Sequence, residues 1–247
     1  MKLLSIGNSF SVDAHRWLHT LATANGIDLQ TGNLYIGGCS LETHWHNIET
    51  GAAEYTYYVN GADEGCPMSI AEALTLDTWD VITFQQASHF SGDWATYEPY
   101  LTDIAQVVRA AQPQATFYFH QTWAYEADST HEGFATYGND QVQMYRRIVE
   151  ASTMAAQHIG ARVLPVGEVI QALRRDVPAF DYPNGGVSLN RDGFHLSLDY
   201  GRFAAAATWL YTLFGCPIEV DGMAQYGFDT TLLERIVEVV IDVVNKG

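Results

Sequence analysis

The chain has 247 residues, of which 47% are hydrophobic and 17% are charged. This composition is typical of a globular protein and not of a disordered one. Its 29 acidic residues outnumber 12 lysines and arginines, and the formal net charge of −17 argues against nucleic acid or an anionic membrane surface as a partner. No linker-like segment divides the chain, so residues 1–247 are predicted to form a single domain.

Apolar runs rich in β-branched or aromatic residues alternate with helical patterns along the chain. The predicted strands are residues 2–6, 29–36, 80–85, 114–120 and 162–166. The predicted helices are residues 11–25, 97–111, 139–159 and 229–245. This alternation favours a three-layer α/β/α sandwich around a five-stranded parallel sheet in the order 2-1-3-4-5.

Glycine or polar residues follow four of the predicted strands. They are Ser9, Gly38, Gln85 with Gln86, and Gln121. Because ligands bind outside the carboxyl ends of parallel strands, these positions predict a site at one edge of the sheet. Two long aromatic insertions, residues 41–78 and 121–138, would border that site.

A serine in a tight turn and a distant Asp-x-x-His segment supply the groups that serine-based acyl transfer needs. Ser9 follows the first strand in the segment Gly-Asn-Ser-Phe that begins at Gly7, and this turn is similar to a nucleophile elbow. The helix after it favours negative charge at an attacked carbonyl. His195 can take the serine proton, and Asp192 can orient the imidazole. The expected catalytic residues are therefore Ser9, His195 and Asp192.

These segments resemble the SGNH/GDSL hydrolase superfamily, whose first block is Gly-Asp-Ser-Leu and whose last is Asp-x-x-His. The first block departs from that pattern at Asn8 and Phe10, whereas the last, from Asp192 to His195, fits without change. Within the superfamily, the phrases Ile-Gly-Asn-Ser-Phe-Ser, Ile-Gly-Gly-Cys-Ser-Leu and Gln-Gln-Ala-Ser-His resemble a branch known as a domain of unknown function, DUF4886. The resemblance implies a flavodoxin-like hydrolase fold and serine hydrolase chemistry, and it leaves the substrate open.

The resemblance also implies an oxyanion hole with three hydrogen-bond donors. Two are the backbone N–H groups of Ser9 and of Gly38, which lies in a segment similar to the second block. The third block, Gly-x-Asn-Asp, supplies an asparagine amide, but the stretch Thr-Phe-Gln-Gln-Ala-Ser-His here has none. A glutamine amide is chemically equivalent, so Gln86 is the expected donor, with Gln85 or Ser88 as alternatives. Some carbohydrate-acetyl esterases of the superfamily carry Gln-Gly-Glu-Ser in this region, which aligns with Gln85 and Ser88.

Aromatic residues near the expected site favour a carbohydrate cleft, since such rings can stack on sugars; they are Trp45, Trp94, Trp123 and Tyr125. The combined prediction is a serine esterase that hydrolyses a small acyl ester, such as an acetyl ester, of a carbohydrate or glycoside. Two alternatives stay open. One is a lipase or thioesterase acting on longer acyl chains, which an apolar tunnel near residues 41–78 would favour. The other is a non-hydrolytic carbohydrate-binding protein on the same fold.

The expected reaction needs no cofactor. No metal is expected either, because the pair His44-x-His46 has no cluster of cysteines or carboxylates beside it. Three cysteines are too few for a disulfide framework, and no apolar run approaches the ~20 residues of a membrane span. A start directly in a strand favours a cytoplasmic protein if Met1 is the native start, and a secreted or periplasmic one if a leader was removed. The oligomeric state stays open.

Overall fold

The computed structural model describes residues 1–246. Over this range the strands are β1 (Lys2–Gly7), β2 (Gln30–Tyr35), β3 (Tyr55–Val59), β4 (Ala62–Met68), β5 (Val81–Phe84), β6 (Thr116–His120) and β7 (Arg162–Leu164). The helices are α1 (Ser9–His15), α2 (Leu18–Ala24), α3 (Leu41–Thr50), α4 (Ile70–Leu76), α5 (Tyr100–Ala111), α6 (Gln141–Ile159), α7 (Val166–Asp176), α8 (Tyr200–Phe214) and α9 (Thr230–Val244).

The seven strands form one sheet in the order β4-β3-β2-β1-β5-β6-β7. Strands β2, β1, β5, β6 and β7 are parallel, and Ile6 of β1 pairs with Leu34 on one side and Phe84 on the other. This confirms the predicted order 2-1-3-4-5 for the five parallel strands. The strand count is corrected from five to seven, because β3 and β4 form an antiparallel hairpin beyond β2, within the insertion at residues 41–78.

Alternate residues of the central strands enter two hydrophobic cores, one on each face of the sheet. In β1, Leu3 joins the core that packs against α1, α2, α7, α8 and α9, whereas Leu4 joins the core that packs against α3, α4 and α5. In β5, Val81 and Ile82 divide in the same way. Burial on both faces explains why these strands read as nearly continuous apolar runs, and it gives the predicted three layers.

The predicted helix at residues 11–25 is two helices, α1 and α2, that are separated at Arg16 and Trp17. At this break the indole N–H of Trp17 donates to the backbone oxygen of Leu198 at 3.2 Å, and the Trp17 ring meets the edge of Phe228. These tertiary contacts act against the local helical pattern, which is a weaker determinant of structure.

Helix α8 is absent from the predicted elements because it lacks the polar face that produces a helical period. Every residue from Phe203 to Leu210 is buried, and α8 packs against α1, α7 and α9. Within residues 1–246, no helix combines the length and the apolar character that crossing a membrane requires.

Candidate active site

Strand β1 ends in a turn that places Ser9 at the N-terminus of α1. Asn8 is the N-cap residue, and its Oδ1 accepts the backbone N–H of Phe10 at 3.0 Å, which satisfies one of the free donors of the first helical turn. A Cβ atom at Gly7 would lie 2.4 Å from Ser11 Oγ, so the tight turn requires glycine at that position. Ser9 thus lies at the carboxyl edge of the parallel strands.

The loop before α8 carries Asp192 and His195 to the same edge. His195 Nε2 lies 2.8 Å from Ser9 Oγ, and His195 Nδ1 lies 2.7 Å from Asp192 Oδ2. The second carboxylate oxygen, Oδ1, accepts the backbone N–H groups of Phe194 at 3.2 Å and His195 at 2.7 Å. The structure brings these three side chains into one hydrogen-bonded chain. With Nδ1–H bonded to the carboxylate, Nε2 is free to accept the serine proton.

The contacts of Asp192 determine its charge. Partial burial by itself would raise the pKa of this carboxyl, but hydrogen bonds from the His195 ring and from the backbone N–H groups of His195 and Phe194 hold the pKa below its ordinary value. Asp192 is therefore ionised at neutral pH. Its negative charge favours the imidazolium that forms when His195 accepts a proton.

Asp13 lies one helical turn after Ser9 and joins α1 to the loop that carries the Asp-x-x-His segment. Its carboxylate is fully buried and accepts the backbone N–H of Leu196 at 2.9 Å. It also accepts from Arg191 Nη1 at 3.0 Å and from Arg202 Nε at 2.7 Å. These bonds hold the nucleophile and its base on a common frame. Sequence reasoning missed this role, because the nearer arginine lies 178 residues further along the chain.

Two backbone N–H groups beside the nucleophile, those of Ser9 and Gly38, have no acceptor among residues 1–246. Both residues line the same cleft. The N–H of Ser9 belongs to the first turn of α1, where the helix dipole favours an anion. Gly38 has a φ of +65°, in the left-handed region that glycine adopts without strain. These groups are available as donors to a developing oxyanion.

Gln86 lies outside the cleft, contrary to the prediction that its amide faces Ser9. Its side chain is buried, and its Nε2 donates to the backbone oxygen of Thr96 at 3.0 Å and to Thr96 Oγ1 at 3.1 Å. Its Oε1 accepts the N–H of Leu41, at the start of α3, at 3.0 Å. Both amide hydrogens are already bonded, so Gln86 joins the end of β5 to two neighbouring segments instead.

The two alternatives to Gln86 differ in their access to the cleft. Gln85 is buried beneath the nucleophile turn, where its amide bonds to Asn8 and His120. Ser88 lines the cleft, and its Oγ lies 2.8 Å from the hydroxyl of Tyr125. Of the three considered donors, Ser88 alone is among the described residues that line the cleft.

The cleft beside Ser9 has a volume of about 670 Å³, within the range of small-molecule sites. Its walls combine aromatic and imidazole rings with charged groups and small residues. They are formed by Ser9, Val12, Asp13, Tyr35, Gly37, Gly38, Tyr58, Ser88, His89, His131, Glu132, Gly133, Arg191, Phe194, His195 and Arg202.

The four aromatic residues predicted to line a sugar cleft lie elsewhere. Trp123 and Tyr125 are fully buried, and Trp123 stacks on Phe10 with ring centroids 4.2 Å apart, so it supports the nucleophile turn from within the core. Trp45 and Trp94 pack against the core on the other face of the sheet. The place of Trp45, Trp123 and Tyr125 in the two aromatic insertions did not indicate that these side chains pack against the cores.

The His44-x-His46 pair is divided between the interior and the surface. His44 is buried, with its Nδ1 2.8 Å from the hydroxyl of Tyr55, and burial lowers the pKa of His44 to about 3. Burial also raises the pKa of the Cys39 thiol to about 12, so Cys39 is a poor nucleophile at neutral pH. In the part of the chain that the structure describes, no three His, Cys, Asp or Glu side chains group in a way that could hold a metal ion.

Comparisons with known proteins give a consistent result. A family model described as a domain of unknown function, DUF4886, matches residues 2–231. The crystal structure of a DUF4886 family protein from Bacteroides uniformis ATCC 8492 is similar, with a TM-score of 0.88 and 35% sequence identity, over 99% of this chain and 94% of that chain. No curated protein matches the sequence at a significant level.

More distant structures share the fold. An SGNH hydrolase candidate from Slackia heliotrinireducens aligns with a TM-score of 0.59 and 22% identity, over 86% of this chain and 98% of that chain. Axe2, an acetylxylan esterase from Geobacillus stearothermophilus, aligns with a TM-score of 0.52 and 12% identity, over 85% of this chain and 92% of that chain. At these identities the likeness shows a common α/β fold, and function depends on the site.

The substitution Asp13→Ala should lower the free energy of unfolding by about 3 kcal/mol, because it leaves two partly buried guanidinium groups and the N–H of Leu196 without their acceptor. Urea denaturation followed by circular dichroism measures this loss. Asp176→Ala is the matched control, since it removes the carboxylate of the exposed pair with Arg175 and should cost less than about 1 kcal/mol. Equal losses in the two variants would contradict the special role of Asp13.

Proposed function

The chain belongs to the family described as a domain of unknown function, DUF4886, and we propose that it is a serine esterase. Its proposed substrate is a small acyl ester, such as an acetyl ester, of a carbohydrate or glycoside. The observation that carries the proposal is the hydrogen-bonded chain from Ser9 through His195 to Asp192 at an open cleft. The fold that the chain shares with SGNH hydrolases supports a hydrolase.

The reaction begins when Ser9 Oγ attacks the carbonyl carbon of the ester and its proton passes to His195 Nε2, 2.8 Å away. The carbonyl double bond becomes a single bond to an oxyanion, which the N–H groups of Ser9 and Gly38 stabilise. Asp192 keeps the imidazole in the accepting tautomer and stabilises the imidazolium.

The tetrahedral intermediate collapses when the bond from carbon to the alcohol oxygen breaks. His195 donates its proton to that leaving oxygen, and the acyl group remains on Ser9. A water molecule then attacks the acyl-enzyme, with His195 taking a proton from water and returning it to Ser9 as the carboxylic acid leaves. His195 carries each proton in this cycle, so the proposed reaction needs no cofactor.

Ser88 is the proposed third oxyanion donor. Its hydroxyl and that of Tyr125 lie 2.8 Å apart. One of the two hydroxyl protons forms this hydrogen bond, and the other proton needs a different acceptor. Tyr125 is fully buried. If Ser88 were the donor, the hydroxyl proton of Tyr125 would lack an acceptor, and an unsatisfied buried donor costs free energy. Tyr125 therefore donates to Ser88, and the proton of Ser88 is free to bond a group in the cleft.

The walls of the cleft favour a polar ester. Tyr35 and Tyr58 meet edge to face with ring centroids 5.8 Å apart, and such rings offer an apolar face with a polar hydroxyl at one end. His89 and Arg191, which also line the cleft, add hydrogen-bonding groups. A carbohydrate, with apolar ring faces and many hydroxyls, complements this combination.

The two alternative functions fit these observations less well. A lipase or thioesterase acting on longer acyl chains needs an apolar tunnel from Ser9, but the apolar groove near residues 41–78 lies apart from Ser9, has a volume of about 240 Å³ and is lined by Ile48, Leu74 and Val107. A non-hydrolytic carbohydrate-binding protein has no need for a serine that is hydrogen-bonded to a histidine whose other ring nitrogen is held by a carboxylate.

Ser9→Ala should lower kcat for an acetylated sugar by roughly 1000-fold or more, as loss of a triad nucleophile does. It should leave the melting temperature nearly unchanged, and labelling by a fluorophosphonate probe should disappear. His195→Ala should be as damaging, whereas Asp192→Asn should cost less, because an amide oxygen at the Oδ1 position still accepts the backbone N–H groups of Phe194 and His195 and so keeps the histidine partly oriented. Retention of more than about a tenth of the activity by Ser9→Ala would contradict the assignment.

Between about pH 5 and 8 the kcat/KM value should rise with pH, because a histidine base must be unprotonated before it can accept the serine proton. The unprotonated form of His195 is the active base. Asp192 adds no second titration there, because its pKa is held below its ordinary value and it is already ionised. Assays in constant-ionic-strength buffers measure this profile, and a flat profile over the same range would contradict a histidine base.

Ser88→Ala should lower kcat by about 100-fold with little change in KM, because the bond to the oxyanion forms mainly in the transition state. Gln86→Ala is the matched control, since both amide hydrogens of Gln86 already bond to Thr96, and it should retain kcat while losing thermal stability. Steady-state kinetics of the two folded variants measure these changes in kcat and KM. A fall in kcat in Gln86→Ala alone would restore Gln86 as the donor.

A further inference from the structure

The side chain of Asn8 bridges the two turns that carry the backbone donors. Asn8 is almost fully buried, and its Oδ1 accepts the N–H of Phe10, the residue after Ser9, at 3.0 Å. Its Nδ2 donates to the backbone oxygen of Cys39, the residue after Gly38, at 3.1 Å. One amide group therefore sets the separation of the two turns.

The orientation of this amide is fixed on both sides. A backbone N–H can only donate and a backbone carbonyl can only accept, so Oδ1 must face Phe10 and Nδ2 must face Cys39. An ionised aspartate, which the superfamily's first block has at this position, accepts hydrogen bonds but cannot donate to Cys39. The bridge therefore depends on the asparagine of this chain.

Gln85 fixes Asn8 from below. Since Oδ1 of Asn8 is an acceptor, the group of Gln85 that faces it at 2.5 Å is Nε2. The Oε1 of Gln85 then faces His120 Nδ1 at 2.9 Å, and this nitrogen must carry the ring proton. His120 is the last residue of β6 and is fully buried, and burial together with nearby His15 lowers the pKa of His120 to about 3. The chain of bonds thus ends on a neutral ring held by a central strand.

We propose that Asn8 and Gln85 are positioning residues that hold the N–H groups of Ser9 and Gly38 at the separation an oxyanion requires. This inference rests on the proposed ester hydrolysis. It also gives the glutamine after β5 a role, because Gln85 acts through Asn8 and not on the substrate. Rigid placement of donors matters because their stabilisation of the transition state depends on fixed geometry.

The test compares Asn8→Asp, Gln85→Met and Gln86→Met. In Asn8→Asp the side chain keeps its size and the oxygen that accepts the N–H of Phe10. The N–H groups of Phe10 and Gln85 and the N-terminus of α1 favour the ionised form of the aspartate. That form brings a carboxylate oxygen against the carbonyl of Cys39. Gln85→Met keeps the side-chain length but removes both polar bonds. Gln86→Met is the matched control, a buried neighbour whose bonds go to Leu41 and Thr96.

Asn8→Asp and Gln85→Met should each lower kcat by about 10- to 100-fold while KM stays within about twofold of wild type, because misplaced donors mainly affect the transition state. Gln86→Met should keep kcat and lose thermal stability. A kcat within about twofold of wild type in either of the first two variants, when folded by circular dichroism, would overturn the proposal.

A second measurement does not depend on activity. Heteronuclear NMR of histidine-labelled wild-type protein should find His120 neutral, with its proton on Nδ1, and Gln85→Met should lose this preference. A proton on Nε2 in the wild type would overturn the inferred bond directions. If the wild type hydrolyses no ester and its Ser9 takes up no fluorophosphonate, the proposed function fails. If the wild type is active and the variants match it, only the positioning role fails.

Discussion

The geometry of the site depends on the buried carboxylate of Asp13. Ser9 and His195 are 186 residues apart in the chain, and a small change in the distance between their side chains would remove the contact that proton transfer needs. Asp13 lies in α1 with Ser9, and its carboxylate accepts hydrogen bonds from Arg191 and Leu196 of the loop that carries His195 and from Arg202 of α8. A buried carboxylate tolerates its loss of water only when its acceptor sites are filled. The position of the loop therefore depends on the hydrogen bonds that fill the acceptor sites of Asp13.

Much of the fold follows from local patterns in the sequence. The five parallel strands are short apolar runs, and their alternation between two cores, as in Leu3 and Leu4, is the expected result of burial on both faces. The same constraint explains the meeting of Ser9, Gly38 and Ser88, since the carboxyl ends of parallel strands share one edge. The motifs also predicted the contacts among the serine, histidine and aspartate side chains, and kinetics will test their catalytic roles.

What the sequence did not predict depends on contacts between distant segments. Alternation predicts the direction of Gln85 or Gln86 only along an extended strand, but β5 ends at Phe84, so both amides follow tertiary partners instead. Trp123 was predicted to lie at the surface of a cleft because of its place in an insertion, but it is buried in the core that packs against α1. Asp13 has its partners at least 178 residues further along the chain. In each case the determining neighbour is remote in sequence.

The hairpin beyond β2 has a consequence for how the protein meets other molecules. Strand β4 is an edge of the sheet and carries Asp63, Glu64 and Pro67. Proline has no N–H to pair, and the two carboxylates oppose the approach of another strand. At the opposite edge β7 spans only three residues, too few to support a long ladder. Both edge strands of the sheet thus disfavour pairing with a strand of another molecule. This protects a concentrated solution of the protein against strand-mediated aggregation.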